Sequence, residues 1–431
     1  MLNDQLMNRK FILVFALLVL GILAGNWIYG SILAKKIEER LETRVKALKK
    51  DIVLEIEKVH VNPLLSKLQL KGLQVSTVEG HQLAAGQSVV LDMPYKEAIR
   101  LLNSKEIDEL KSLKLKVEEL QLYIAEADGE LLIDNLLIDF DGDLNRADIE
   151  AIQTIFPTEK QRLRIQAKGV KLAQTPWMDA LGFSKEQSAN INQFEQLIID
   201  CQLHPQKSHV ELIKFQLNSD VLDCQSSGLI TYTGEGLSGA KAEKAETSFK
   251  LSLNEKGLTW GNAETTGKFT LDKLTVETNA LVLYKDNVPS VESQKSNILL
   301  ENLTLEYAGE KRAQLEAQTA LLGLKMDKII VSKLAFSSEL AEDWLTITDS
   351  ELQSTFMDID LNAKVHISSQ APGASQIESA TLVVSNLAPG IQNGIATFEL
   401  MTMQSLPRNG DAIVLEMTGP ISRPVIKGLR Y

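Results

Sequence analysis

From residue 51 onward a period of two dominates the apolar pattern, and this period limits the fold more than any other feature of the chain. Leu113, Leu115 and Val117 alternate with polar residues, and Leu120, Leu122 and Ile124 continue after a one-residue phase slip. Phe269 and Leu271 repeat the pattern, as do Leu303, Leu305 and Tyr307. Met357, Ile359, Leu361, Ala363, Val365 and Ile367 form the longest run, and Ile413, Leu415 and Met417 the last. Successive side chains on a strand point to opposite faces, so each run makes a strand with one apolar and one polar side. Asp128-Gly129, Glu255-Lys256-Gly257, Ala371-Pro372-Gly373 and Arg408-Asn409-Gly410 separate the runs as turns.

Helical patterns are scarce. Residues 96–102, 147–156 and 176–183 read as short helices, the second stopping at Pro157. Beyond residue 193 no helix longer than two turns is expected. So many one-sided strands must bury their apolar faces against another sheet, themselves or a ligand, because too few helices are available to cover them. The expected class is therefore mainly β: an N-terminal transmembrane helix, then an elongated, twisted antiparallel sheet forming a groove or a sandwich, with a few short helices. The boundaries read as an N-terminal tail (1–10), an anchor (11–34), an amphipathic helix (35–50), a β-rich region with short helices (51–192) and an extended antiparallel region (193–431).

The anchor is read from the absence of charge in residues 11–34, FILVFALLVLGILAGNWIYGSILA, within a chain whose mean hydropathy is only −0.05. At about 1.5 Å per residue this stretch reaches some 36 Å, enough for a hydrocarbon core of roughly 30 Å with tilt. Trp27 and Tyr29 near its end suit the membrane interface. A cleaved signal peptide is the competing reading, but the stretch is long and no clean cleavage site follows. Lys35 and Lys36 begin the following helix, where Ile37, Leu41, Val45 and Leu48 are spaced for one apolar face. We take Trp27, Tyr29, Lys35 and Lys36 as the membrane-interface residues. Arg9 and Lys10 precede the span and seven Lys or Arg follow it up to Lys50, a count that by itself puts the C-terminal bulk in the cytoplasm. Long domains translocate largely regardless of such flanks.

The remaining chemistry is sparse. A formal charge of −12, from 45 basic and 57 acidic residues, opposes nucleic-acid binding, which needs a basic patch. No phosphate loop, zinc-protease motif, nucleophile elbow or dinucleotide fingerprint occurs. His204 and His209 flank a Pro205–Ser208 turn and read as solvent-facing, while Asp134, Asp139, Asp141 and Asp143 lack calcium-loop spacing. Cys201 and Cys224, placed two strands apart at about 9.6 Å, are too far for a disulfide and read as free. We expect no enzyme, no cofactor and no metal site.

Three segments resemble the AsmA-like superfamily of bacterial envelope proteins, which includes the N-subunits of type II secretion systems. Residues 51–75, DIVLEIEKVHVNPLLSKLQLKGLQV, are similar to the family's opening pair of strands. Residues 113–137, LKLKVEELQLYIAEADGELLIDNLL, resemble its strand pairs joined by an Asp-Gly turn. Residues 418–428, TGPISRPVIKG, look like its common ending, and residues 194–232 resemble the secretion N-subunits more than the larger relatives. The resemblance implies a single-pass inner-membrane protein with its C-terminal bulk in the periplasm and a β-groove that in large relatives is thought to carry phospholipid. The partners expected are membrane lipid, with phospholipid in the groove, or envelope and secretion proteins bound through sheet edges. Candidate groove residues, from their apolar phase, are Phe269, Leu271, Ile359, Leu361, Val365, Ile367, Ile413, Leu415 and Met417. Their alternative role is ordinary sheet core.

Overall fold

The computed structural model describes residues 26, 29–39, 52–93, 109–124, 129–145, 156, 159–172, 193–254, 257–262, 267–285, 288–319, 328–368 and 374–429. The expected anchor at 11–34 lies largely outside these residues, as do the expected helices at 96–102, 147–156 and 176–183 apart from Phe156, the amphipathic segment beyond residue 39, and the Ala371-Pro372-Gly373 turn. Among the described residues no helix is long and apolar enough to cross a membrane. The chain divides into two units, Met1–Thr175 with Gln196–Lys207 and Glu235–Gly239, and Pro176–Glu195 with Ser208–Gly234 and Ala240–Tyr431.

The first unit is an antiparallel meander. Strands β1 (Ile52–Asn62), β2 (Lys67–Thr77), β3 (Gln82–Asp92), β4 (Glu109–Ile124), β5 (Gly129–Asn145) and β6 (Gln161–Leu172) each pair with the next in sequence. Strand β7 (Gln193–His204) supplies most of its length to this unit. The β1–β2 turn is a single 3-10 turn at Pro63–Leu65, where Asn62 Oδ1 accepts from the Leu65 amide at 3.3 Å and Ser66 takes a left-handed φ of 53°.

The second unit repeats the plan. Strands β8 (His209–Ser219), β9 (Leu222–Thr233), β10 (Lys241–Leu253), β12 (Gly267–Lys285), β13 (Val288–Glu306), β14 (Lys328–Ala341), β15 (Trp344–Ser354), β16 (Asp358–His366), β17 (Gln376–Ser385) and β19 (Ala412–Pro420) pair side by side in that order. The short β11 (Leu258–Asn262) pairs with the first part of β12, and β18 (Arg408–Asn409) and β20 (Val425–Ile426) pair with β19. Among the described residues every ladder is antiparallel, as the alternation requires, and no pairing closes either ladder upon itself.

Two expectations need correction. Helices Gly309–Thr319 and Pro389–Thr402 both exceed two turns. The first is built mainly from Glu, Lys, Arg, Ala, Gln and Leu, residues of good helix propensity without a strong apolar stripe. The second begins with Pro389 in its first turn and ends at Met403 in the left-handed conformation, a stop without the usual glycine. His204 and His209 flank the Pro205–Lys207 turn as expected but are half-buried instead of solvent-facing. The expected Asn409-Gly410 turn is present, with Gly410 at φ 62° between β18 and β19.

Candidate functional site

Registered antiparallel pairing puts directly opposed residues on the same face, so rows of partners can be followed across each unit. In the first unit one row runs Val59, Leu70, Val89, Val117, Leu136, Ala167 over β1 to β6. The next row on that face is Val61, Leu68, Leu91, Leu115, Ile138, Ile165. Beyond the phase slip come Ile56, Leu73, Gly86, Leu120, Ile133 and Val170. The result is one apolar face crossing six strands. Val59, Val117, Ile133, Ala167 and Val170 are buried, whereas most other members are only half-buried.

The phase slip has a structural cause. Glu57, Gly72, Gln87, Glu119, Asp134 and Gly169 are the skipped positions of successive strands, and on alternate strands the backbone there is left-handed: Gly72 at φ 61°, Glu119 at φ 51° and Gly169 at φ 62°. A left-handed residue interrupts the two-residue alternation, so two consecutive residues face solvent before the apolar phase resumes. The exposed pairs Glu57-Lys58 and Asp134-Asn135 mark this line. A β-carbon on Gly169 would lie 2.0 Å from Asp134 Oδ2, and one on Gly72 would lie 2.7 Å from the Glu57 side chain.

In the second unit the longest apolar row is Leu274, Leu300, Leu334, Leu352, Ile359, Val384, Ile413. Beside it run Leu361, Leu382 and Leu415, then Ala363, Ala380 and Met417. On the other side Leu217, Cys224, Leu251, Val276, Ile298 and Phe336 complete the face from β8 to β14. Slips occur again at Asp272 opposite Asn302 (φ 56°) and at Asp349 (φ 48°), whose amide donates to Asn362 Oδ1 at 2.9 Å.

All nine expected groove residues fall among the described residues. Ile359, Leu361, Ile413, Leu415 and Met417 occupy adjoining rows, with Val365 beside them opposite Leu345 and Ile377. Val365, Ile413 and Leu271 are buried and the other six half-buried. Ile367 lies one residue past β16, its amide donating to Asp343 O at 2.7 Å. Phe269 and Leu271 lie beyond the Asp272 slip, in rows with Leu305 and Ile329 and with Leu303 and Val331. The apolar face of the first unit holds none of the expected groove residues, and the slip between Val117 and Leu120 keeps its phase on one side.

The opposite face carries charge. Lys67 pairs with Asp92, Lys114 with Asp139, Lys250 with Glu277, Lys273 with Glu301, Lys333 with Glu351 and Lys364 with Glu378. Most of these side chains are 40% exposed or more, so each pair adds little stability and serves mainly to keep that face wet. Asp200 differs: its side chain is 6% exposed, Arg162 binds it through Nε at 2.9 Å and Nη2 at 2.7 Å, and Arg164 adds a contact at 3.8 Å. The Arg162 bond holds the Asp200 carboxyl below the usual carboxylate range despite its burial.

No family model, curated protein or solved structure matches the chain. The site must therefore be read from its own chemistry. Both cysteines are free, and burial raises the thiol pKa of each. Among the described residues no group of three or more His, Cys, Asp or Glu side chains is placed to hold a metal. Tyr29 is 55% exposed, Lys35 and Lys36 are exposed, and Trp27 lies outside the described residues. Residues 29–39 are helical, with Gly30, Leu33 and Ile37 turned inward, and Asn26 Nδ2 donates to Asn62 Oδ1 at 3.2 Å. Gly30, Ala34, His60, Gln69 and Lys71 line a cavity of about 650 Å³ beside this helix. Desolvation, aided by Lys58 and Lys71, pushes the His60 imidazole below its ordinary pKa.

Proposed function

We propose that the chain is a membrane-anchored envelope protein whose apolar sheet face holds the acyl chains of phospholipid, binding or transferring lipid or assisting outer-membrane assembly. The observation that carries this reading is the seven-strand apolar row from Leu274 to Ile413, largely half-buried, beside an opposite face laced with ion pairs. A face of this kind needs an apolar partner, and about 0.8 kcal/mol per buried CH₂ makes an acyl chain a sufficient one without any catalytic group. The uncharged 11–34 stretch and the likeness of 51–75, 113–137 and 418–428 to AsmA-like proteins support an inner-membrane anchor with the sheet in the periplasm. No catalytic constellation enters this function.

The test places a photoreactive benzoylphenylalanine at Leu361, on the apolar face, or at Asp360, on the opposite one, in the full chain in its membrane. Lipid adducts at 361 and few at 360 are expected by mass spectrometry. Equal labelling, or no lipid at 361, overturns the reading. Protein adducts at 361 would instead favour an accessory subunit of an envelope or secretion assembly.

A further inference from the structure

The charged face of the first unit holds an unbalanced group of cations. Strand β1 sets Lys58 directly opposite Lys71 of β2, and His60 opposite Gln69 in the adjoining row of the same face. Like charges placed opposite one another on a sheet repel, so this pairing stands at a cost. The carboxylates nearest in these rows are engaged elsewhere. Asp92 pairs with Lys67 at 3.5 Å, and Glu118, in the Lys58–Lys71–Ser88 row, holds Lys116 at 2.5 Å. Glu57 lies over Gly72, its Oε2 2.7 Å from where a β-carbon would stand. Among the described residues neither Lys58 nor Lys71 forms an ion pair, whether with Glu38, one turn beyond Ala34 on the helix, or with any other carboxylate.

Beside these cations the structure keeps room. Lys71, His60 and Gln69 line the 650 Å³ cavity from the sheet, and Asn26, Gly30 and Ala34 line it from the helix. Asn26, Gly30 and Ala34 recur at every fourth position and so form one stripe, in which Gly30 and Ala34 are too small to fill the space. The walls are fixed by contacts of their own. Asn26 Nδ2 donates to Asn62 Oδ1, and Asn26 Oδ1 accepts from the Leu64 amide, each at 3.2 Å. Gln69 Nε2 donates to Ser88 Oγ at 3.0 Å and keeps a second N–H for a further acceptor. The lowered pKa of His60, due to desolvation and then to Lys58 and Lys71, is what a site short of negative charge produces.

We infer that this cavity binds a phosphate group, with Lys58 and Lys71 as its counter-charges and His60 and Gln69 as further donors. Lysine ammonium groups bind phosphate as point charges, and a phosphate supplies the negative charge that the opposed lysines lack. A lipid headgroup and free inorganic phosphate share this chemistry. The site lies on the charged face of the sheet, so it does not rest on acyl chains occupying the apolar one.

The full chain in maltoside micelles, labelled with carbon-13 at the histidine Cε1 atoms, is titrated at fixed pH with inorganic phosphate and, in a separate series, with phosphatidylglycerol. His60→Asn identifies the His60 resonance. Saturable movement of that resonance is expected, and Lys71→Gln is expected to weaken the affinity roughly tenfold or more. Lys58→Gln, on the neighbouring strand, should do the same, so the result does not hang on one variant folding. Movement with both ligands supports a site for phosphate itself, and movement with the lipid alone supports a headgroup site. No movement with either ligand, equal movement on adding sodium chloride, or an undiminished response in both lysine variants overturns the inference. Lipid adducts at 361 are read separately, so either proposal can fail alone.

Discussion

Gly169 sits at φ 62° with the Asp134 carboxylate where its β-carbon would be, so it is fixed twice, by backbone and by space. Gly169→Ala should cost about 1–3 kcal/mol, because the left-handed conformation itself disfavours a β-carbon by roughly 1–2 kcal/mol and Asp134 must also move. Glu119 takes the same conformation with a side chain, and Glu119→Gly should be neutral or stabilising; urea unfolding of both variants checks the contrast. Asp200 gives a prediction in pH. Its folded pKa is lowered, so the stabilisation is present above the unfolded carboxylate range near 4 and is lost as pH falls through the folded value. Asp200→Asn should flatten the acid limb of a melting-temperature profile and leave its alkaline limb in place. Neither residue was legible in the sequence. Gly169 looks like any strand glycine, and Asp200 lies 38 residues from its arginine.

At the scale of elements, period two located the strands because it follows from backbone geometry alone, and it survived even the slips. The helices were less legible: Gly309–Thr319 has no strong apolar stripe to betray it, and Pro389–Thr402 is apolar on faces that the fold leaves outside. The two-residue connection between β14 and β15 was also hidden, since Glu342 at φ 50° and Asp343 at φ 64° make the turn without an Asn-Gly signal. Docking of the 29–39 helix rests on a close approach, with a β-carbon on Gly30 falling 2.4 Å from Val61 O. Gly30→Val should therefore detach this helix, seen as faster amide exchange over residues 29–39 while the exchange of β4 to β6 stays unchanged. Protection retained in the variant would show that the contact is not what holds the helix.

For the molecule as a whole, each unit is a meander of neighbours in sequence, which keeps its contacts local and lets a repeated pattern specify a large sheet. Period two settled the mainly β class, the antiparallel order and one apolar side per strand, because these depend only on pleat geometry and on which side chains avoid water. The candidate residues at 359, 361, 365, 413, 415 and 417 lie on one face, yet the sequence could not say that they adjoin. Adjacency required the registers of β15 to β19, set by pairing between strands. Likewise the row of left-handed kinks from Gly72 to Gly169 and the outward turn of Phe398, Leu400, Met401 and Met403 were decided by tertiary structure. The sequence determined which side chains avoid water; only the registered sheet decided which of them stand together, and only packing decided which were left outside.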